Sequence, residues 1–259
     1  MMTGTWAKSI AGAMALAVLA GPASAGSLKD EAAPSGRMLE WSANFAVTSD
    51  YIYRGMSQTN KNPAVQAGLD LTYGILYAGI WSSTVDFGPH TATAEVDLVA
   101  GIKPTLGPVS FDFGVIYYTY PGAHDSAAEL NMLEVKAGAS VAPWKGGTVG
   151  VTGFWSPDYT GETGDVWTVE GSFAQELPKI RDIGLTFSAL VGYQSGDDAA
   201  YEGAFFTDHY TYWNAGLTLG FHERFSLDLR YWDTDLDFCQ NDRLFHCGAR
   251  FVATAKATF

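Results

Sequence analysis

Alternation of apolar and polar side chains, rather than any helical period, organises this chain. From Val109 to Tyr120, the positions Val109, Phe111, Phe113, Val115 and Tyr117 are apolar, while Ser110, Asp112 and Gly114 lie between them. A period of two is the mark of a β-strand, whose successive side chains point to opposite faces. The segment 94–102 sets Val96, Leu98, Ala100 and Ile102 against Glu95 and Asp97. The segment 133–141 sets Leu133, Val135, Ala137, Ala139 and Val141 against Glu134, Lys136 and Ser140. Trp213, Ala215, Leu217, Leu219 and Phe221 oppose Asn214, Gly216 and Thr218, and Phe225, Leu227, Leu229 and Tyr231 oppose Ser226, Asp228 and Arg230.

The same rule predicts twelve strands, at 40–53, 64–73, 76–87, 94–103, 109–120, 131–142, 148–156, 165–177, 184–194, 210–221, 225–236 and 249–259. Most reach the roughly 9–11 residues that a tilted strand needs to cross a bilayer. Their connections alternate too. Those after the even strands are short, such as "GI", "PTLGP" and "HER"; those after the odd ones are long and polar, such as "PGAHDSAAEL" and "SPDYTGETGD". Short turns at one end and long loops at the other are the arrangement of outer-membrane barrels, with the turns periplasmic and the loops extracellular. The expected fold is all-β: a single transmembrane antiparallel barrel of about twelve strands.

The N-terminus sets the compartment. Lys8 precedes an apolar run from Ile10 to Ala20, followed by Pro22 and Ala23-Ser24-Ala25. This is the anatomy of a secretory signal peptide cleaved after Ala25, leaving residues 26–259 as the barrel. The run is too short for the roughly 20 residues of a spanning helix. Composition agrees with a barrel: 29 glycines, 14% aromatics and only 17% charged residues. No later stretch is apolar enough to cross as a helix, so a closed barrel is the backbone left that satisfies its own hydrogen bonds in lipid. Lys and Arg number 15 against 28 Asp and Glu. That balance repels phosphates and excludes nucleic acid as a partner.

Aromatics gather near the segment ends. Tyr73, Phe221, Phe225 and Phe259 fall on the turn side; Tyr51, Tyr53, Trp155, Trp213 and Tyr231 fall on the loop side. Such girdles suit rings at headgroup depth. A secreted β-sandwich also alternates, but its outer faces are polar. The last segment, "ARFVATAKATF", places Phe251, Ala253, Ala255, Ala257 and Phe259 on one face. A terminal phenylalanine after that alternation resembles the signal read by outer-membrane assembly machinery, with Phe251 and Phe259 as its apolar marks.

"SDYIYRGMSQT", "NPAVQAGLDLTY", "LYAGIWSSTVDFG", "AEVDLVAGI", "IYYTYPGA" and "CGARFVATAKATF" occur in that order through most of the chain. Together they resemble the TorF-type family of porin-like proteins of Gram-negative bacteria. The resemblance implies an outer-membrane barrel that passes solutes. It brings no catalytic or ligand residues to carry over, and no cofactor.

Pore selectivity resides in the inward charges. Strand phase puts Asp50, Asp70, Glu95, Asp97, Asp112, Glu134, Glu170 and Asp228 in the lumen with Lys136, Arg230 and Lys256, and Arg54 near the outer mouth. The surplus of acids predicts a weakly cation-preferring channel for small hydrophilic solutes. Arg54 is expected to face Asp50 or neighbouring acids there, while Tyr51 and Tyr53 share the outward face with Trp41, Phe45 and Val47. The competing reading is that the charges pair across a narrow barrel, making a non-conducting structural or adhesive protein.

Cys239 and Cys247 are the only cysteines and fall in the last long loop. In an exported chain they are expected to form a disulfide, since no CxxC spacing marks a redox or metal site. Asp233, Asp235 and Asp237 lack the glycine and glutamate of a calcium loop; a rim site for divalent cations bridging lipopolysaccharide is the weaker idea. His90, His124, His209 and His246 fall in outer loops and His222 in a turn, with no metal-binding pattern. No G-x-S-x-G or H-E-x-x-H motif supports an outer-membrane enzyme, and no cofactor is expected. The partners expected are outer-membrane lipid and lipopolysaccharide, the assembly machinery and small solutes.

Overall fold

The computed structural model describes residues 38–87, 92–123, 129–236 and 246–259. Twelve long strands form the barrel: β1 (Leu39–Thr48), β2 (Ala64–Tyr73), β3 (Leu76–Thr84), β4 (Ala94–Ile102), β5 (Val109–Thr119), β6 (Met132–Trp144), β7 (Gly147–Ser156), β8 (Val166–Ile180), β9 (Ile183–Gly196), β10 (His209–Phe221), β11 (Phe225–Thr234) and β12 (Arg250–Thr258). Each pairs antiparallel with its neighbours in sequence order, and β12 returns to β1 with Phe45 opposite Ala257 and Thr48 opposite Thr254. The ring therefore closes and leaves no edge strand, as spanning a bilayer with strands requires.

The exposure pattern is that of a membrane barrel. Trp41, Phe45 and Val47 on β1, Leu98 on β4, Phe113 and Val115 on β5, and Leu217 on β10 are exposed outward. The polar partners between them, such as Asn44, Glu95, Asp97, Asn214 and Thr218, are buried inward. Apolar outside and polar inside inverts the arrangement of a β-sandwich. Two outer girdles are present. At the loop end Trp155 lies opposite Trp167 on the neighbouring strand with ring centres 5.9 Å apart, and Tyr231 meets Phe251 at 5.2 Å. At the turn end Phe173 lies between Trp144 and Phe187, at 6.4 and 6.2 Å.

The turn end is built from tight connections. Between β2 and β3 only Gly74 and Ile75 intervene, and Gly74 has φ +60°. A two-residue hairpin turn needs that left-handed region, where a side chain is strained.

Two features depart from expectation. The first strand ends at Thr48 and does not run to residue 53. Beyond Asp50 the chain turns into the barrel as a small hairpin, Ile52–Tyr53 against Met56–Ser57. Strand phase no longer applies there. Tyr51 and Tyr53 are buried inside the barrel and belong to no outer girdle. The second departure is a helix, α1 (Ala199–Phe205), in the loop between β9 and β10. Asp198 caps it by accepting a bond from the Ala200 amide, and Tyr201 and Phe205, one turn apart, are its buried face. That is ordinary N-capping chemistry followed by i,i+4 packing.

Candidate functional site: a stoppered lumen

The inward hairpin sets the geometry of the loop half. Arg54 and Gly55 form its tip, with φ of +46° and +85°. The backbone at Gly55 crosses to the far wall: a Cβ there would come within 3.1 Å of the Cβ atoms of Thr234 and Tyr212. Only glycine meets both demands, the left-handed backbone and the close approach.

Arg54 is fully buried at the centre of this half. Its Nη2 lies 2.8 Å from Glu134 Oε1 and donates to Glu134 Oε2 at 3.1 Å; its Nη1 donates to Gln194 Oε1 at 3.0 Å. The guanidinium lies 4.9 Å from the ring centre of Tyr53, 5.1 Å from Phe154 and 5.9 Å from Tyr159. Around it tyrosines of the wall and of the inward-turning segment point hydroxyls at carboxylates. Tyr118 donates to Glu134 at 2.9 Å, Tyr212 to Glu170 at 2.6 Å and Tyr51 to Glu95 at 2.8 Å. Gln194 also accepts from Thr168 and donates to Tyr201 on α1, so helix and hairpin are tied to one network. Burial is the first cause that pushes the hydroxyls of Tyr51, Tyr53 and Tyr159 up from the ordinary tyrosine value, so they stay neutral.

A side chain lining a water-filled pore keeps some exposure to that water. Arg54, Glu134, Gln194, Tyr118 and Tyr212 keep almost none. The loop half of the lumen is therefore packed, like a protein core made of ionic and aromatic groups. The space for it comes from the wall: a Cβ on Gly192 would collide with the ring of Tyr212.

Asp50 does not face Arg54. It pairs with Arg250 at 2.8 Å and accepts from Ser57 and Thr59, which holds the hairpin's base to the start of β12. Nor does Arg54 stand at the entrance; it lies beneath it, bonded to Glu134. Both differences follow from the departure of the chain from β1 at Ser49.

Glu95 and Asp97 make the other notable group. Both are 1% exposed, their carboxyl groups are in hydrogen-bonding contact, and Asp97 Oδ1 has no partner. Two carboxyl groups that share a hydrogen bond need a proton between them.

The turn half is wetter and more basic. Asp112 takes Lys136 at 2.7 Å and Tyr77 at 2.7 Å, with Lys103 at 4.0 Å, and these ionic side chains keep 17–27% exposure. Arg230 grips Asp228 with two bonds of 3.0 Å and also donates to Asn214 and Ser188. Asp70 and Lys256 face inward near the turns, close enough to interact. Asp70, Glu95, Asp97, Glu134, Glu170 and Arg230 are buried on the inward side of the wall, while Asp50 and Arg54 are buried beyond the end of β1.

Alternation also contains the residues that charge alone overlooks. Tyr118, Gln194 and Tyr212 share a phase with Asp112, Ser188 and Asn214. Arg250 and Lys103 lie at strand ends, where phase is weakest.

Cys239 and Asp237 lie outside the described residues, as do His90, His124 and residues 1–37. Cys247 is buried, and no free cysteine is present among the described residues. Asp233 and Asp235 serve local structure: they accept from the Tyr231 hydroxyl and the Thr211 amide. His209 is exposed beside Asp208.

The fold matches solved porins. The KdgM porin superposes with a TM-score of 0.54 at 9% identity, over 84% of this chain and 99% of that one. The NanC porin does so with 0.53 at 11% identity, over 85% and 99%. A KdgM porin in complex with disordered oligogalacturonate gives 0.55 at 8% identity, over 84% and 99%. At such identities the likeness establishes the barrel and nothing finer. No curated protein sequence matches this one. One family profile matches, over residues 31–259, and its description does not carry the TorF-type name. The chain thus belongs to the family described as "Bacterial protein of unknown function (Gcw_chp)".

Proposed function

We propose that the protein is an outer-membrane channel for the passive diffusion of small hydrophilic solutes, weakly cation-preferring and narrowed at its loop end. The observation that carries this reading is a closed barrel with an apolar exterior and a charged interior from end to end. In the loop half Asp50, Glu95, Asp97, Glu134 and Glu170 meet Arg54 and Arg250. In the turn half Asp70, Asp112 and Asp228 meet Lys103, Lys136, Arg230 and Lys256. A solute crossing the loop half meets surplus negative charge in a low-dielectric wall, which favours cations. An acidic sugar chain such as the oligogalacturonate held by the KdgM porin would meet carboxylates there. No catalytic step is required.

Planar bilayers test this directly. A small conductance with a cation-selective reversal potential is expected; anion selectivity would overturn the preference. The burial of Arg54 and Glu134 favours one rival, a barrel that conducts nothing. Liposome swelling with graded neutral solutes separates the two, since only a channel collapses the osmotic gradient.

Several further expectations belong to the same reading. Residues 1–25 are a signal peptide, so N-terminal sequencing of the mature protein should begin at Gly26. On this reading Phe251 and Phe259 mark the strand read by the assembly machinery, the girdles contact lipid and lipopolysaccharide, and the chain is kin to the TorF-type porin-like proteins its motifs resemble. Cys239 and Cys247 form a disulfide; two free thiols by mass spectrometry would refute it.

A further inference from the structure

Arg54 is held in the way a bound solute is held. It arrives on a hairpin tip with two left-handed residues, and not from a wall strand. Every group that receives it, apart from its neighbour Tyr53, belongs to the wall or to another loop. Glu134 on β6 meets the single nitrogen Nη2 with both carboxylate oxygens, and Gln194 on β9 accepts from Nη1 with its carbonyl oxygen. Phe154 on β7 and Tyr159 from the loop after it offer ring faces. Tyr118 orients Glu134, and Glu170 lies in the field of Arg54 as a second carboxylate. Arg54 Nε has no partner among these groups. The cage therefore grips only the terminal, planar part of the side chain, the part that a free guanidinium headgroup shares.

The chemistry of the cage is selective. A carboxylate at one terminal nitrogen and an amide oxygen at the other satisfy a planar donor with charge-assisted bonds at both tips. Ring faces reward a weakly hydrated organic cation. Without Arg54, the wall groups just named present two carboxylates and no cation of their own. Resting on the channel reading above, we propose that this cage is the selecting site of the channel, that it takes organic cations bearing a guanidinium or amine headgroup, and that Arg54 is its built-in occupant, displaced as such a solute passes.

Uptake by proteoliposomes holding the full mature chain tests this with two solutes of one shape. Methylguanidinium is the cation and N-methylurea its neutral counterpart. The wild-type protein should admit methylguanidinium at least about fivefold faster, as a charged pair in a desolvated site predicts. Glu134→Gln should bring the two rates together. Should that variant fail to fold, competition in the wild type decides: excess agmatine must slow methylguanidinium uptake and equal galacturonate must not. Equal rates for the two solutes, or no effect of agmatine, overturns the cage and leaves the channel standing. Exclusion of both solutes by the wild type also overturns the cage. If Arg54→Ala excludes both as well, the channel reading falls with it.

Discussion

The two halves of the lumen are lined by the same kinds of residue and behave differently. In the turn half, Lys136 and Asp112 form an ion pair that still touches water, at 17% and 25% exposure. In the loop half, Arg54 and Glu134 form one at 0% and 1%. The wall is the same twelve strands throughout. The difference is the chain between β1 and β2, which folds inward and adds a second layer of side chains inside the ring. A twelve-stranded barrel is wider than the eight-stranded ones that side chains alone fill. It takes a hairpin and a ring of tyrosines to pack this one, and both lie at the loop end.

That contrast can be broken most severely at Glu134. Removing one partner of a buried ion pair leaves an uncompensated charge, at a cost of about 3–5 kcal/mol. Glu134→Gln should lower the urea stability of the lipid-folded barrel by an amount near the lower end of that range. A loss below about 1 kcal/mol would mean that water already reaches Arg54. The hairpin tip comes next. Gly55→Val forces a β-branched residue into φ +85° against Thr234 and Tyr212, which costs roughly 1–3 kcal/mol. Because it expels the hairpin, the same variant should conduct better than the wild type while being less stable. Decreased conductance would mean that the tip does not close the lumen.

Asp97 sharpens the comparison in the opposite sense. Its carboxyl group touches that of Glu95 with no cation among their described contacts. Asp97→Asn keeps the shape and supplies the shared hydrogen permanently. Its effect should be neutral or slightly stabilising, within about 1 kcal/mol, as read by the same urea titration. A large destabilisation would mean that Asp97 is charged and paired. Smallest of all is Lys136→Ala in the turn half. A partly exposed pair contributes at most about 1 kcal/mol, so stability should hardly move, while the reversal potential should shift toward cations.

Most of the wall was legible in the sequence because a barrel writes its two faces in alternate residues. From Val109 to Tyr120 a reader can tell lipid from lumen residue by residue. What alternation cannot describe is a segment that leaves the sheet. Tyr51 and Tyr53 continue the phase of Trp41, Phe45 and Val47 on paper, yet they lie inside, because the strand stops at Thr48 and the chain turns. The sign was present in "YRGM": an isolated glycine inside a strand pattern marks a bulge or a close approach of the backbone. Nothing local, however, says whether a turn points outward or in. That choice depends on Glu134, distant in sequence, and on Gly192, whose missing side chain admits Tyr212. Helix α1 was hidden for a related reason. Its seven residues are too few to show a period beside so much alternation, although Asp198 before two alanines is a capping signal.

One inward hairpin, held by Arg54, packs the loop half of the lumen more tightly than the turn half, where Lys136 and Asp112 keep contact with water. Single-channel conductance of the wild type and of Arg54→Ala, in the same lipid and salt, tests it most directly. The structure predicts a low conductance that rises severalfold when the guanidinium is removed. An unchanged conductance would contradict it.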